Sequence, residues 1–234
     1  MPGPPPVVFL LEDEPAVVIA LEGILRANGF SSRAWTSAVG FLNTHDAETP
    51  GCLITDLRMP GMSGLEVQRA LLARGSDRPI IFITSEGDVR TTVLGMKAGA
   101  VSFLTKPVQP AELIGAVREA ITKDALRRAH RREQADVSVR LARLTPRERQ
   151  VLRLLTTGML NKQIAAQLGT TEKTIKTHRK RVLVKMGVRN AIALVSLLYR
   201  GKSHGNVLSQ SLGVRDEAAQ PRMGPSIQGS AAYV

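Results

Sequence analysis

The chain has 234 residues, 43% of them apolar, with 32 Lys+Arg against 20 Asp+Glu and a net charge of +12. That length suits one or two domains with real cores, and no apolar run approaches the roughly 18 residues of a membrane helix. One cysteine, Cys52, excludes an internal disulfide and reads as a small core residue, and the opening Met1-Pro2-Gly3-Pro4-Pro5-Pro6 has no basic stretch of a signal peptide, so a cytoplasmic protein is expected.

Val7 to Leu11 is an unbroken apolar run ending in Glu12-Asp13-Glu14, which predicts a buried strand. Pro15 suits the first position of a helix, and Val17, Val18, Leu21 and Leu25 recur at helical spacing within Ala16–Asn28. Ser31–Trp35 reads as a short strand, and Ser37–Thr44 as a helix with Val39, Phe41 and Leu42 inward. Cys52–Thr55 is a third strand, after which Asp56-Leu57-Arg58-Met59-Pro60-Gly61 turns. Gly64–Arg74 is helical, Pro79–Thr84 a strand, Asp88–Ala98 a helix capped by Asp88, Val101–Leu104 a strand, and Gln109–Thr122 a fifth helix. Strands and helices alternate five times, so the expectation is an α/β, doubly wound, five-stranded parallel sheet of flavodoxin-like type. Neither an internal repeat nor a Gly-rich phosphate loop occurs.

In such a sheet the strand ends share one edge. Glu12 and Asp13 end the first strand, Asp56 the third, Thr84 and Ser85 the fourth, and Lys106 the fifth. Taken singly, each has an ordinary structural reading: a loop cap, a strand threonine, a solvated lysine. Together Glu12, Asp13, Asp56, Thr84 and Lys106 bring three carboxylates, a hydroxyl and an ammonium into one crevice. Carboxylates that close need a cation, or one of them takes up a proton. An all-oxygen donor set suits a hard ion such as Mg²⁺. A cation beside one carboxylate leaves Asp56 free as a nucleophile toward a phosphoryl group.

Residues 7–120 resemble the receiver domain of two-component response regulators. The resemblance is carried by Leu11-Glu12-Asp13-Glu14, the run Thr55 to Gly64, Ile83-Thr84-Ser85, Lys97-Ala98-Gly99-Ala100 and Phe103-Leu104-Thr105-Lys106-Pro107. It implies that Asp56 accepts phosphate from a sensor histidine kinase. It implies Mg²⁺ held by Asp13, Asp56 and the backbone carbonyl of Arg58, with Glu12 assisting. Thr84 and Lys106 would bind the phosphoryl group, Thr84 and Phe103 would form the switch, and the 106–107 bond would be cis. The chain departs from the family pattern at Glu12, where most receivers have Asp, and at Val108, where an aromatic is common.

Charge is unevenly distributed. Residues 1–120 hold 10 Lys+Arg against 13 Asp+Glu, whereas residues 121–200 hold 19 against 5. A basic second domain suits a polyanion. Lys123–Arg140 clusters Arg127, Arg128, Arg131 and Arg132 with few apolar residues, and reads as a flexible linker or a continued helix, with a mostly helical linker favoured. Domain bounds are therefore 1–122, a linker over 123–140, 141–200 and a disordered tail over 201–234, which is rich in Gly, Ser, Ala, Gln and Pro.

Thr145-Pro146-Arg147-Glu148 reads as a capping box that opens a helix with Val151, Leu152, Leu154 and Leu155 on its apolar face. Asn161–Leu168 is a second helix, and Thr171 caps a third that reaches Met186 with Ile175, Val182 and Leu183 inward. A short turn between two short helices is the helix-turn-helix pattern, and a basic helix following it suits the major groove. Ala191–Tyr199 is a fourth helix.

Leu144–Arg200 resembles the LuxR-type DNA-binding domain through Leu144 to Arg149, Asn161-Lys162-Gln163-Ile164-Ala165 and Thr174-Ile175-Lys176-Thr177-His178-Arg179. The pairing of the two domains resembles a FixJ/NarL-type regulator. By that resemblance Lys176, Thr177 and Lys180 face bases and phosphates. Lys162, His178, Arg179 and Arg181 contact the backbone, and Thr171 and Lys173 complete the set. The expected partners are the kinase, double-stranded promoter DNA, RNA polymerase and, on phosphorylation, a second copy paired through the face of about Asp88–Thr122. No membrane role is expected. One rival is a phosphohydrolase with an aspartyl-phosphate intermediate, which would want an acidic residue where Arg58 stands. Another is a constitutive DNA-binding protein whose first domain only dimerises.

Overall fold

The structure is a computed structural model and describes residues 4–85 and 89–200. The expected Asp88 cap and the expected disordered tail 201–234 lie outside the described residues. The chain divides into two compact units, Met1–His130 and Arg131–Val234.

The first unit runs β1 (Val7–Leu11), α1 (Pro15–Ala27), β2 (Ser31–Trp35), α2 (Ala38–Thr44), β3 (Gly51–Asp56), α3 (Gly64–Ala73), β4 (Ile80–Thr84), α4 (Val89–Lys97), β5 (Ser102–Thr105) and the first part of α5 (Pro110–Ala142). Its five strands are all parallel, in the order β2-β1-β3-β4-β5. Successive strand residues face opposite sides of a sheet, and here both sides are covered. Val8, Leu10, Cys52, Ile54, Ile81 and Ile83 pack with Leu21 and Leu25 of α1 and Leu113 and Val117 of α5. Phe9, Leu11, Leu53 and Phe82 pack on the other side with Phe41 and Leu42 of α2 and Val67 and Leu71 of α3. Cys52 lies in this core as expected, and burial pushes its thiol up to about 12.

One expectation is corrected. Val39 is 59% exposed and does not face inward. Ala38, Phe41 and Leu42 form the i, i+3, i+4 stripe of this seven-residue helix, and Val39 falls outside it. The segment 123–140 is helical, the favoured one of its two readings. It lies within α5, its start belonging to the first unit and its end to the second. Asp124 is 5% exposed, accepts the Gly51 N–H at 2.9 Å and pairs with Arg128 Nε at 2.7 Å. Arg128 also donates to the carbonyls of Ala47, Glu48 and Thr49.

Residues 131–142 of α5 open the second unit, followed by α6 (Pro146–Thr156), α7 (Asn161–Gln167), α8 (Glu172–Met186) and α9 (Ala191–Arg200). The Thr145–Glu148 capping box is present, Thr171 caps α8 through Thr174 N–H, and Asn190 Oδ1 accepts the Ala193 N–H at the start of α9. Val151, Leu155, Ile164, Ala165 and Ile175 bury the helix-turn-helix side. Leu144, Leu152, Val182, Met186, Leu194 and Leu198 bury the other, together with Val137 and Leu141 from α5. Among the described residues no single helix is long and apolar enough to cross a membrane.

Candidate functional site

The edge expected to carry chemistry lies where the chain leaves β1 and its neighbour β3 in opposite directions across the sheet, the usual position of a ligand crevice. Asp56 is the last residue of β3, and Glu12 follows β1 directly. One carboxylate oxygen each from Glu12, Asp13 and Asp56 lies within 4.8 Å of the others. Lys106 reaches this group from the end of β5, its N–H tied to the Thr84 carbonyl at 2.8 Å. Its ammonium lies 2.6 Å from Asp56 Oδ2 and 3.0 Å from Glu12 Oε2. The other Asp56 oxygen accepts the Arg58 N–H at 2.9 Å.

Burial sets the electrostatics. Glu12 is 2% exposed, and desolvation holds its carboxyl above the usual carboxylate range despite the opposing pull of Lys106. For Lys106 burial works against the charge, but its hydrogen bonds to Asp56 and Glu12 win and hold the ammonium above its ordinary value. One lysine thus serves several carboxylates, and the crevice keeps an excess of negative charge. Among the described residues Glu12 Oε2 has no polar partner beyond its 3.0 Å ion pair with Lys106. Clustered carboxylate oxygens with a buried, incompletely bonded member fit a hard divalent cation such as Mg²⁺.

Thr84 is 3% exposed at the end of β4, beside Lys106. Phe103 on β5 is half-buried, its ring 4.8 Å from that of Phe82. A Cβ on Gly95 would sit 2.4 Å from Phe103 Cζ, so α4 lies directly over this ring. The Lys106–Pro107 bond is cis. Glu14 was not singled out from the sequence, yet its carboxylate lies 3.6 Å from Lys106, and its only signal was its place in the Glu12-Asp13-Glu14 run.

Gly64 holds the loop beyond Asp56 close. A Cβ there would stand 2.4 Å from the Asp56 carbonyl and 3.0 Å from Phe82. The backbone of a buried strand end cannot move aside cheaply. Gly64→Ala is expected to cost about 1–3 kcal/mol in urea unfolding. A loss under about 0.5 kcal/mol would show that the loop can yield.

In the second unit the burial of Ile175, Val182 and Met186 turns Lys173, Thr177 and Lys180 to the opposite, exposed face of α8. Lys176 and Arg181 flank this face and are exposed, as are Lys162 on α7 and Thr171. His178 and Arg179 are half-buried. Arg179 Nη1 donates to Asn161 Oδ1 at 3.1 Å, which ties α8 to α7, and His178 Nδ1 is buried without a hydrogen bond among the described residues.

Lys185 is a different kind of cation. Its ammonium lies 2.7 Å from Glu148 Oε2, and the Glu148 side chain is 3% exposed. Burial would raise the Glu148 carboxyl, but Lys185 and the Thr145 N–H together hold it below the usual range. This stabilisation is present above about pH 4.3 and is lost as pH falls below that value. Lys185→Met is expected to lower stability by roughly 2 kcal/mol, because Glu148 is left buried and unpaired. Thermal melts at neutral pH and near pH 3 check both points: the gap between wild type and variant should close in acid.

Residues 8–118 match the family described as response regulator receiver domain, and residues 142–198 match bacterial regulatory proteins of the luxR family. The response regulator protein TodT of Pseudomonas putida is 41% identical over 196 residues, covering 84% of this chain and 86% of TodT. Among solved structures the response regulator StyR aligns with a TM-score of 0.75 and 42% identity, over 83% of this chain and 98% of StyR. Full-length FixJ from B. japonicum aligns with a TM-score of 0.53 and 33% identity, over 84% of this chain and 97% of FixJ.

Proposed function

The chain belongs to the two-component response regulators that join a receiver domain to a LuxR-type DNA-binding domain, and from that membership we propose that Asp56 accepts a phosphoryl group from a sensor histidine kinase and that phosphorylation promotes receiver dimerisation and DNA binding. One observation carries the reading. Lys106, Glu12 and Asp13 surround the Asp56 carboxylate at a single sheet edge, with the Lys106 ammonium already 2.6 Å from it and Thr84 ending the neighbouring strand β4.

An Asp56 carboxylate oxygen attacks the phosphorus of the kinase phosphohistidine. A P–O bond forms, the P–N bond breaks, and the imidazole leaves with its electron pair. Lys106 passes from Asp56 Oδ2 to a phosphoryl oxygen, and the Thr84 hydroxyl donates to another. Mg²⁺ held by Asp13, Asp56 and the Arg58 carbonyl, with Glu12 assisting, would offset charge on the incoming group. Drawing Thr84 toward the phosphoryl group changes the packing beside Phe103, which biases a two-state equilibrium. The face formed by α4, β5 and the start of α5 then pairs two receivers, and two DNA-binding domains reach adjacent half-sites about one DNA turn apart. Lys162, Thr171, Lys173, Lys176, Thr177, His178, Arg179, Lys180 and Arg181 supply the DNA contacts. The setting is the cytoplasm, with RNA polymerase as the further partner at the promoter. The only chemistry of the chain itself is gaining and losing its own phosphoryl group. Arg58 stands where a phosphohydrolase would place its general acid, and so disfavours turnover.

The test is incubation with acetyl phosphate and Mg²⁺, followed by phosphate-affinity electrophoresis, light scattering and DNA binding. A phosphorylated species of doubled mass and higher DNA affinity is expected. A chain that stays unlabelled would remove the phosphoacceptor role. A labelled chain of unchanged mass and affinity would leave the constitutive reading standing.

A further inference from the structure

The C-terminal turn of α8 is gripped from outside the helix-turn-helix. Arg140, on the part of α5 within the second unit, donates from Nη1 to the carbonyl of Met186 at 2.8 Å. Met186 is the last residue of α8, so this carbonyl is one of those a helix cannot satisfy internally. The carbonyls of Leu183 and Val184 are taken by the Gly187 N–H, and Leu183 also accepts from Val188. Arg140 also places a positive charge at the negative end of the helix dipole. Asp136, one turn earlier on α5, holds the guanidinium from its other side at 2.6 Å. Val137 and Leu141 flank Arg140 and are buried against Val182 and Met186. Gly187 leaves the space needed: a Cβ there would stand 2.5 Å from Arg140 Nη1, and its φ of +67° disfavours a side chain in any case. The grip therefore has a polar contact, an apolar seat and a glycine that admits it.

We infer that Arg140 is a positioning residue for DNA recognition, acting through the C-terminal turn of α8 without touching DNA. The fifteen residues of α8 span about 22 Å, with Lys173 and Thr177 toward the far end. Slack at the Met186 turn becomes displacement of those side chains, and base-edge readout needs placement within about 0.5 Å. Arg140 lies before residues 142–198, the stretch matched by the luxR family, so the device is built from the segment expected to be linker. The inference rests on DNA binding by this unit.

The test compares the full-length wild type with Arg140→Ala, Arg140→Lys and Gly187→Ala. Each is titrated with a duplex selected by the wild type from a random pool, and with an unrelated duplex of equal length. The assay temperature is one at which every variant keeps wild-type helical circular dichroism. Arg140→Ala is expected to lose about tenfold in affinity for the selected duplex and to stay within about twofold on the unrelated one, with an unchanged salt slope. Arg140→Lys recovers most of the loss, since one ammonium still reaches the Met186 carbonyl. Gly187→Ala keeps the charge but pushes the guanidinium away, and is expected to show the same selective loss. Unchanged affinity of Arg140→Ala for the selected duplex overturns the inference. So does an equal loss on both duplexes with the slope reduced by about one, which marks a direct phosphate contact. Wild-type affinity in Gly187→Ala overturns it as well. A wild type that selects no duplex overturns the DNA-binding reading and this inference with it.

Discussion

Asp56→Asn is expected to take up no phosphoryl label from acetyl phosphate or from a kinase, while keeping its fold. The substitution is isosteric and removes the nucleophilic oxygen, so the loss is complete. Stability should change little, because losing the contact to Lys106 at 2.6 Å is offset by relieving repulsion with Glu12 and Asp13. Lys106→Ala is the informative companion. It leaves three carboxylates together without their internal cation, so its melting temperature should fall without added metal and recover with millimolar Mg²⁺ by mass action. The wild type should respond less. Labelling of Asp56→Asn would move the phosphoacceptor elsewhere. A Lys106→Ala melt indifferent to Mg²⁺ would argue that the three carboxylates do not form a cation site.

DNA binding is expected to collapse with salt. Lys173, Lys176, Lys180 and Arg181 are exposed on α8, and Lys162 is exposed on α7. If each neutralises one phosphate, the slope of log affinity against log salt is about −4.5 per DNA-binding domain, and raising salt from about 50 to about 200 mM weakens binding roughly 500-fold. Lys173→Ala should reduce the slope by about 0.9. Lys185→Met should leave it unchanged, because that ammonium is committed to Glu148 at 2.7 Å. Fluorescence anisotropy across a salt series measures both. A slope near zero in the wild type, or an equal change in the two variants, would assign the phosphate contacts to other residues.

Strand and helix types were legible because apolar periodicity reflects burial directly. The ten elements of the first unit and the four helices that follow stand where they were expected, with ends displaced by a residue or so, apart from α5, which runs on to Ala142; only β2, Ser31-Ser32-Arg33-Ala34-Trp35, carries none of the Val, Ile, Leu and Phe that mark the others. The cluster of Glu12, Asp13, Asp56 and Lys106 was legible for a further reason. Parallel topology carries every strand's carboxyl end to one edge, so residues separated by as many as 94 positions could be placed together before any distance was known. The capping box at Thr145 is similarly local: the partner is three residues away, and the spacing is the evidence.

What the sequence could not decide is which charges are structural. In the sequence, Asp124, Arg128 and Arg140 read only as charged residues of a mostly helical linker, and Lys185 reads as one more cation of a basic helix. Each instead has a partner fixed by the fold: the Gly51 N–H, the carbonyls of residues 47–49, the Met186 carbonyl, and Glu148. Three of these partners are backbone groups, which carry no side-chain signature, and all of them lie far along the chain. A charged side chain is committed to the fold when an unsatisfied carbonyl, N–H or carboxylate is brought beside it in a place water does not fill. Hydrophobic patterning determined where this chain is buried. Only the tertiary structure decided which of its charges hold it together and which face outward.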